Sequence, residues 1–172
     1  MDNIWVKNIK RFFILMAIQI LVLKQIHINW GGFNYIHLFI YPLFIILLPI
    51  KTQRPLLLII AFVTGLILDM FYDSPGLHAS TLVVVAYVRN YVLKFLEPRD
   101  GYNIDTTPSI KNFGFNWFII YSSILVFIHM FWYFSIEAFS FQYISDIILK
   151  TIFSFIFSEI IIILYMIILN PD

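Results

Sequence analysis

The chain has 172 residues, 61% of them apolar and only 12% charged, and 19% aromatic. Ordinary soluble domains are roughly 45–50% apolar, so this composition excludes a soluble globule and points to lipid as the surrounding solvent. Eleven Lys and Arg against ten Asp and Glu leave no basic field for nucleic acid, and the absence of cysteine excludes disulfides, thiolate metal sites and thiol nucleophiles.

A helix crossing a hydrocarbon core of roughly 30 Å needs about 20 mainly apolar residues. Six stretches approach that length: residues 10–28, 35–50, 55–71, 77–96, 113–135 and 144–169. The expected fold is an all-α integral membrane protein, a bundle of six transmembrane helices, or five if the second stretch does not form a full one. That second stretch is interrupted by Pro42 and closed by Pro49, which predicts a kink or a tilt. The runs are continuously apolar and lack the alternation of a lipid-facing β-barrel. Little chain remains for loops, so residues 1–172 read as a single polytopic domain with no separate soluble unit. The longest connection, 97–112, is too short to fold alone.

Lys7, Lys10 and Arg11 precede the first stretch, Lys51 and Arg54 lie in the second connection, and Lys94, Arg99 and Lys111 mark the fourth. By the positive-inside rule both termini are cytoplasmic. Lys24 and Gln25 stand where a signal-peptide cleavage site would be, so the first stretch reads as a retained helix.

Polar residues concentrate between Gly65 and Gly101, in GLILDMFYDSPGLHASTLVVVAYVRNYVLKFLEPRDG. Asp69 lies deep in the third stretch and needs a partner there. Asp73 follows one turn later. Ser74, Pro75 and Gly76 suit a tight turn, with Ser74 and Pro75 as cap and first position of the fourth helix. His78 is placed to donate to Asp69 or Asp73 across this hairpin. The cluster reads as a hydrogen-bonded helix hairpin or as a recognition surface. A metal site is disfavoured because His27, His37 and His129 carry no ligand spacing.

Arg89 reads either as a snorkelling anchor or as a binding group. Glu97, Pro98, Arg99, Asp100 and Gly101 form a charged turn that ends the helix, and such a turn suits docking of a cytoplasmic partner. Glu159 sits mid-helix beside Thr151, Ser154 and Ser158 and reads either as a functional carboxylate or as a neutral, protonated group buried against another helix, since such a stripe packs helices in lipid. Ser122, His129 and Tyr133 make a similar stripe on the fifth helix. There is no Walker loop, no GxSxG elbow, no HExxH pair and no pair of carboxylates in a recognisable lipid-transferase spacing, so enzymatic activity is not expected.

The segment GLILDMFYDSPGLHASTLVVVAY and the EPRDGY turn after it resemble the rod shape-determining protein MreD family, small multi-pass proteins of the bacterial inner membrane. The resemblance is sharp over about 40 residues and compositional elsewhere. It places the family's glycine and acid on Gly65 and Asp69, and its entry into the fourth span on Pro75, Gly76, Leu77 and His78. None of these is catalytic in that family. The resemblance implies a cofactor-free adaptor of the peptidoglycan elongation machinery, the elongasome that sets cell shape. Its expected partners are MreC, RodA, a class B penicillin-binding transpeptidase and MreB. The competing expectation is a substrate-binding S-component of a vitamin transporter, with an outer pocket lined by Asp69, Trp30 or His129.

Overall fold

The computed structural model describes residues 2–26, 28–30, 33–99, 101–103 and 106–169. Helix α1 (Asp2–Ala17) runs into a π-helical turn (Ile18–Val22) and a 3-10 turn (Leu23–Gln25). Two short strands, β1 (Ile28–Trp30) and β2 (Phe33–Ile36), pair antiparallel. Helix α2 (Pro42–Ile46) is a short piece. Then come α3 (Arg54–Tyr72), α4 (Leu77–Phe95), the single turn α5 (Ile110–Phe113), α6 (Phe115–Ala138) and α7 (Ile144–Leu169). Among the described residues, α3, α6 and α7 are long and apolar enough to cross a membrane. The chain is an α-helical membrane protein. Helix α4 matches α3 in length but carries His78, Ser80, Thr81, Arg89 and Asn90, which lower its hydropathy.

The third, fourth, fifth and sixth apolar stretches are helical at or within a few residues of the expected bounds. Pro55, at the start of α3, donates no N–H and begins a helix where none is needed. The first stretch differs. Its helix starts at Asp2 rather than near Lys10 and loses α geometry after Ala17, and Ile26 is already extended. Basic residues do not stop a helix, and Arg11 is not a wetted flank. It is 4% exposed and bonds Asn8 Oδ1 at 3.0 Å and the Leu47 carbonyl at 3.1 Å.

The second stretch is not one helix. Residues 33–36 are strand, 37–40 are neither helix nor strand but send alternate N–H groups to opposite sides as an extended chain does, and only 42–46 are α-helical. As a helix, sixteen residues reach about 24 Å. With the first six extended, the same residues reach about 35 Å. Extended backbone inside an apolar bundle is tolerable only where protein groups take its hydrogen bonds. Residues 38–48 are buried, so this segment runs through the middle of the molecule and the long helices surround it.

Candidate functional site

Two ends of the bundle are polar, and the extended segment joins them. At one end α3 and α4 meet in a hairpin. Leu57, Ala61, Thr64, Gly65, Leu68 and Asp69 are buried on the inner face of α3, the spacing of a single helical stripe. A Cβ built on Gly65 would stand 2.3 Å from Ala79 Cα and 2.6 Å from its nitrogen. The two backbones therefore touch. One turn further, Asp69 is 6% exposed and accepts four hydrogen bonds. Its Oδ1 takes the Ser74 hydroxyl at 3.2 Å and the His78 N–H at 2.8 Å. Its Oδ2 takes the N–H of Gly76 and of Ala79, both at 3.1 Å.

Asp69, on the preceding helix, thus supplies the capping carboxylate for the N-terminus of α4. Ser74 and Pro75 are not the cap and first turn of α4, because Gly76 stands at the cap position with φ 83°. That left-handed turn aims the first amides of α4 back at α3. The carboxylate also sits at the positive end of the helix dipole. Asp73 ends α3 with φ 52° and is exposed, as are Pro75 and Gly76. The expected ring contact from His78 to an aspartate is not made. His78 reaches Asp69 through its backbone N–H, and its ring turns inward.

The His78 ring meets Tyr41. The Tyr41 hydroxyl lies 2.7 Å from His78 Nδ1 and 2.7 Å from His129 Nε2, and all three residues are fully buried. A phenol has one proton, so Tyr41 donates to one imidazole and accepts from the other. His78 Nε2 and His129 Nδ1 have no hydrogen-bond partner among the described residues. Phe39, Tyr72 and Tyr133 pack around the trio, with Phe39 and Tyr133 ring centres 4.8 Å apart and Tyr72 and His78 4.7 Å apart.

The extended residues are held along both edges by side chains. On one edge, Ser154 Oγ accepts the His37 N–H at 2.9 Å and donates to the Tyr35 carbonyl at 3.1 Å. Ser158 Oγ accepts the Phe39 N–H at 2.9 Å and donates to the His37 carbonyl at 3.4 Å. On the other edge, Gln19 accepts the Ile40 N–H at 2.8 Å and donates to the Leu38 carbonyl at 3.1 Å. The register is physical. Four helical residues rise about 6 Å and two extended residues about 6.6 Å, so hydroxyls at i and i+4 of α7 match alternate amides of the strand. The serine stripe therefore holds an extended strand rather than a neighbouring helix.

At the opposite end, three successive carbonyls at the C-terminus of α2 receive three side chains from three helices. The Tyr121 hydroxyl donates to Ile46 at 3.0 Å, Arg11 to Leu47 at 3.1 Å, and Arg89 Nη2 to Leu48. Pro49 O lies 3.5 Å from the same Arg89 nitrogen. Arg89 is fully buried, so it does not snorkel. Its charge is met by the negative end of a helix. Arg89→Met is expected to lower stability by about 1–3 kcal/mol by leaving the Leu48 carbonyl unpaired, read as a lower thermal midpoint in detergent. Arg89→Lys should recover only part, because one ammonium lacks the planar fork.

Glu159 is 7% exposed. Its Oε1 accepts the hydroxyls of Ser122 at 2.5 Å and Ser123 at 3.3 Å, tying α7 to α6, while Oε2 has no partner among the described residues. The turn after α4 closes through the Gly101 N–H to the Pro98 carbonyl at 3.0 Å, with Gly101 at φ 74°. Glu97, Pro98, Arg99 and Gly101 are exposed there. Asp100 lies outside the described residues. Tyr102 anchors this turn by donating to the Leu93 carbonyl at 2.8 Å, and burial pushes its phenol up to about 12.

The residues expected to carry function therefore fall into separate places. Gly65, Asp69, Gly76 and His78 come together at the hairpin. Arg89 belongs to the α2 clamp, Glu159 to the α6–α7 contact, and the Glu97–Gly101 turn to the surface. Sequence reasoning missed Gln19, Tyr41 and Arg11 and read His129 as packing. The available signal was the shortfall of a sixteen-residue stretch against a full crossing, together with a buried-type glutamine in the first apolar run. A cavity of about 300 Å³ opens beside the extended segment. It is lined by Lys24, Gln25, His37, Phe39, Tyr72 and Tyr133 together with aliphatic residues. No three metal-ligating side chains converge among the described residues. No family model, curated protein or solved structure matches the chain.

Proposed function

We propose that this chain is a non-enzymatic adaptor of the bacterial inner membrane, an MreD-like component of the rod-shape and cell-wall elongation complex that binds MreC. RodA, a class B penicillin-binding transpeptidase and MreB belong to the same assembly in this reading. The observation that carries it is the use made of Gly65, Asp69 and Gly76, the residues on which the resemblance rests. Each serves the α3–α4 hairpin: one allows backbone contact, one caps, one reverses the chain. None lines the cavity beside the extended segment, as fits residues that shape a surface rather than react.

The same reading has six crossings with both termini cytoplasmic, the second being the broken segment 35–50 with its greater reach. About a third of the crossing windows of α3 and α7, and under half of that of α6, is buried. Wide apolar faces are therefore left for lipid or for a partner's single span. Association in lipid rests on close packing and on hydrogen bonds of about 0.6 kcal/mol each, so an adaptor works through area rather than one reactive group.

The test is recovery. The tagged protein, extracted in mild detergent from a rod-shaped cell, is expected to bring down MreC identified by mass spectrometry, and depletion is expected to round the cells. Absence of MreC from extracts in which the protein is folded overturns the reading. The S-component reading is favoured by the cavity at the hairpin end, but Asp69 and His129 do not line it and the Trp30 side chain lies outside the described residues. A nutrient requirement on depletion, with cell shape unchanged, would select that reading instead.

A further inference from the structure

The cavity beside the extended segment has features that neither the hairpin nor the clamp explains. Its walls are the 3-10 turn with Ile26, residues 36–39, Tyr72 at the end of α3, and Tyr133 on α6. Phe39, Tyr72 and Tyr133 supply ring faces and edges. Among the described residues of the lining Lys24 is the only charged one, and no acid faces it there. Its ammonium donates to the Phe71 carbonyl and stands 5.2 Å from the centre of the Tyr72 ring. It forms no ion pair among the described residues.

Tyr133 supplies an independent observation. It is only 6% exposed, and its hydroxyl, which makes no hydrogen bond among the described residues, is not sealed off and stays open to a partner from the cavity. The cavity therefore combines a cation with no counter-charge among the described residues, an unpartnered phenol and three aromatic side chains. Its volume, about 300 Å³, stands at the small end of ligand sites.

We propose that this cavity binds a small aromatic carboxylate of one or two rings. The carboxylate pairs with the Lys24 ammonium, the ring packs among Phe39, Tyr72 and Tyr133, and the Tyr133 hydroxyl bonds a polar atom of the ligand. An aliphatic anion would leave the ring faces unused, and a neutral aromatic would leave the ammonium without a counter-charge. The site stands whether or not the chain is an adaptor.

The experiment is ligand-observed NMR and calorimetry on the full chain in phosphatidylcholine nanodiscs, with benzoate and indole-3-carboxylate as probes and benzamide and indole-3-carboxamide as uncharged controls. Saturable binding of at least one acid is expected, with its amide weaker by about tenfold or more, since a charge-assisted contact is lost. Lys24→Met should weaken the acid by about tenfold and leave the amide unchanged, Lys24→Arg should stay within about threefold of wild type, and Tyr133→Phe should weaken it by about threefold. The proposal is overturned if neither acid binds at millimolar concentration, if acid and amide bind alike, or if folded Lys24→Met binds the acid as wild type does. If Lys24→Met fails to fold by circular dichroism, the comparison of acid with amide on the wild type decides.

Discussion

Gly65→Ala is expected to remove most of the folded protein, the largest effect of an added methyl among the described glycines. The added Cβ would stand 2.3 Å from Ala79 Cα, 2.6 Å from Ala79 N and 2.8 Å from His78 C. All three are backbone atoms, so no side chain can rotate away. Restoring ordinary contact needs α3 and α4 to part by about 1 Å. Such a shift also draws the Asp69 carboxylate off the amides one turn along the same face. Overpacking ordinarily costs about 1–3 kcal/mol, and here a lost cap is added. Gly76→Ala is the informative contrast. Its Cβ would meet nothing within 4 Å, but the residue must hold φ 83°, a strain of about 1 kcal/mol. Thermal unfolding in detergent, with membrane yield beside it, should rank Gly65→Ala well below Gly76→Ala. Equal midpoints would refute the close approach of the two helices.

Asp69→Ala carries the second large effect. It strips the acceptor from three backbone N–H groups and the Ser74 hydroxyl at once, at a helix end where apolar neighbours keep water out. A loss of about 3 kcal/mol or more is expected, since each buried group left unpaired costs about 1–3 kcal/mol and the outermost can still reach water. Asp69→Asn should recover a minor share. Its amide keeps one oxygen but turns an NH2 toward N–H donors and gives up the charge at the helix N-terminus. Hydrogen exchange at the His78 and Ala79 amides measures the same bonds locally, and both should exchange faster in either variant. Protection equal to wild type in folded Asp69→Ala would show that the carboxylate does not cap α4.

The hairpin and the α2 clamp solve one problem at opposite ends of the bundle: helix termini buried in an apolar medium. At the start of α4 the free N–H groups take a carboxylate. At the end of α2 the free carbonyls take two guanidinium groups and a phenol. In water such groups would be solvated at little cost. In lipid they must be met by side chains from other elements, which explains a fully buried arginine that pairs with no acid among the described residues. By contrast the Lys150–Glu137 pair at 3.0 Å is partly exposed on both sides and contributes little to stability.

Four of the seven helices follow directly from the sequence. A long, mainly apolar run has one way to satisfy its backbone in lipid, so α3, α6 and α7 are fixed by local composition, Pro55 marks the start of α3, and α4 follows from its length and bounding turns in spite of its polar residues. The need of Asp69 for a partner is equally legible, because a lone carboxylate among Leu, Ile and Met is costly. The identity of that partner is not legible, since backbone amides are the same in every sequence and only folding decides which of them arrive. For the same reason His78 passes for a side-chain donor when its backbone N–H is what reaches Asp69.

What the sequence by itself determined is the solvent of this protein, its long helices and the places where polarity demands an answer. What the tertiary structure alone decided is the course of residues 35–50. Their apolar pattern suits a helix, yet their number reaches the far side only if part of the run is extended, and an extended run survives there only because Gln19, Ser154 and Ser158 lie along its edges. All three lie far from the segment in the chain, and the serine pair reads in sequence as a stripe for packing helices. Hydrogen-bond satisfaction in a medium without water is a property of the assembled bundle, and no local stretch of sequence contains it.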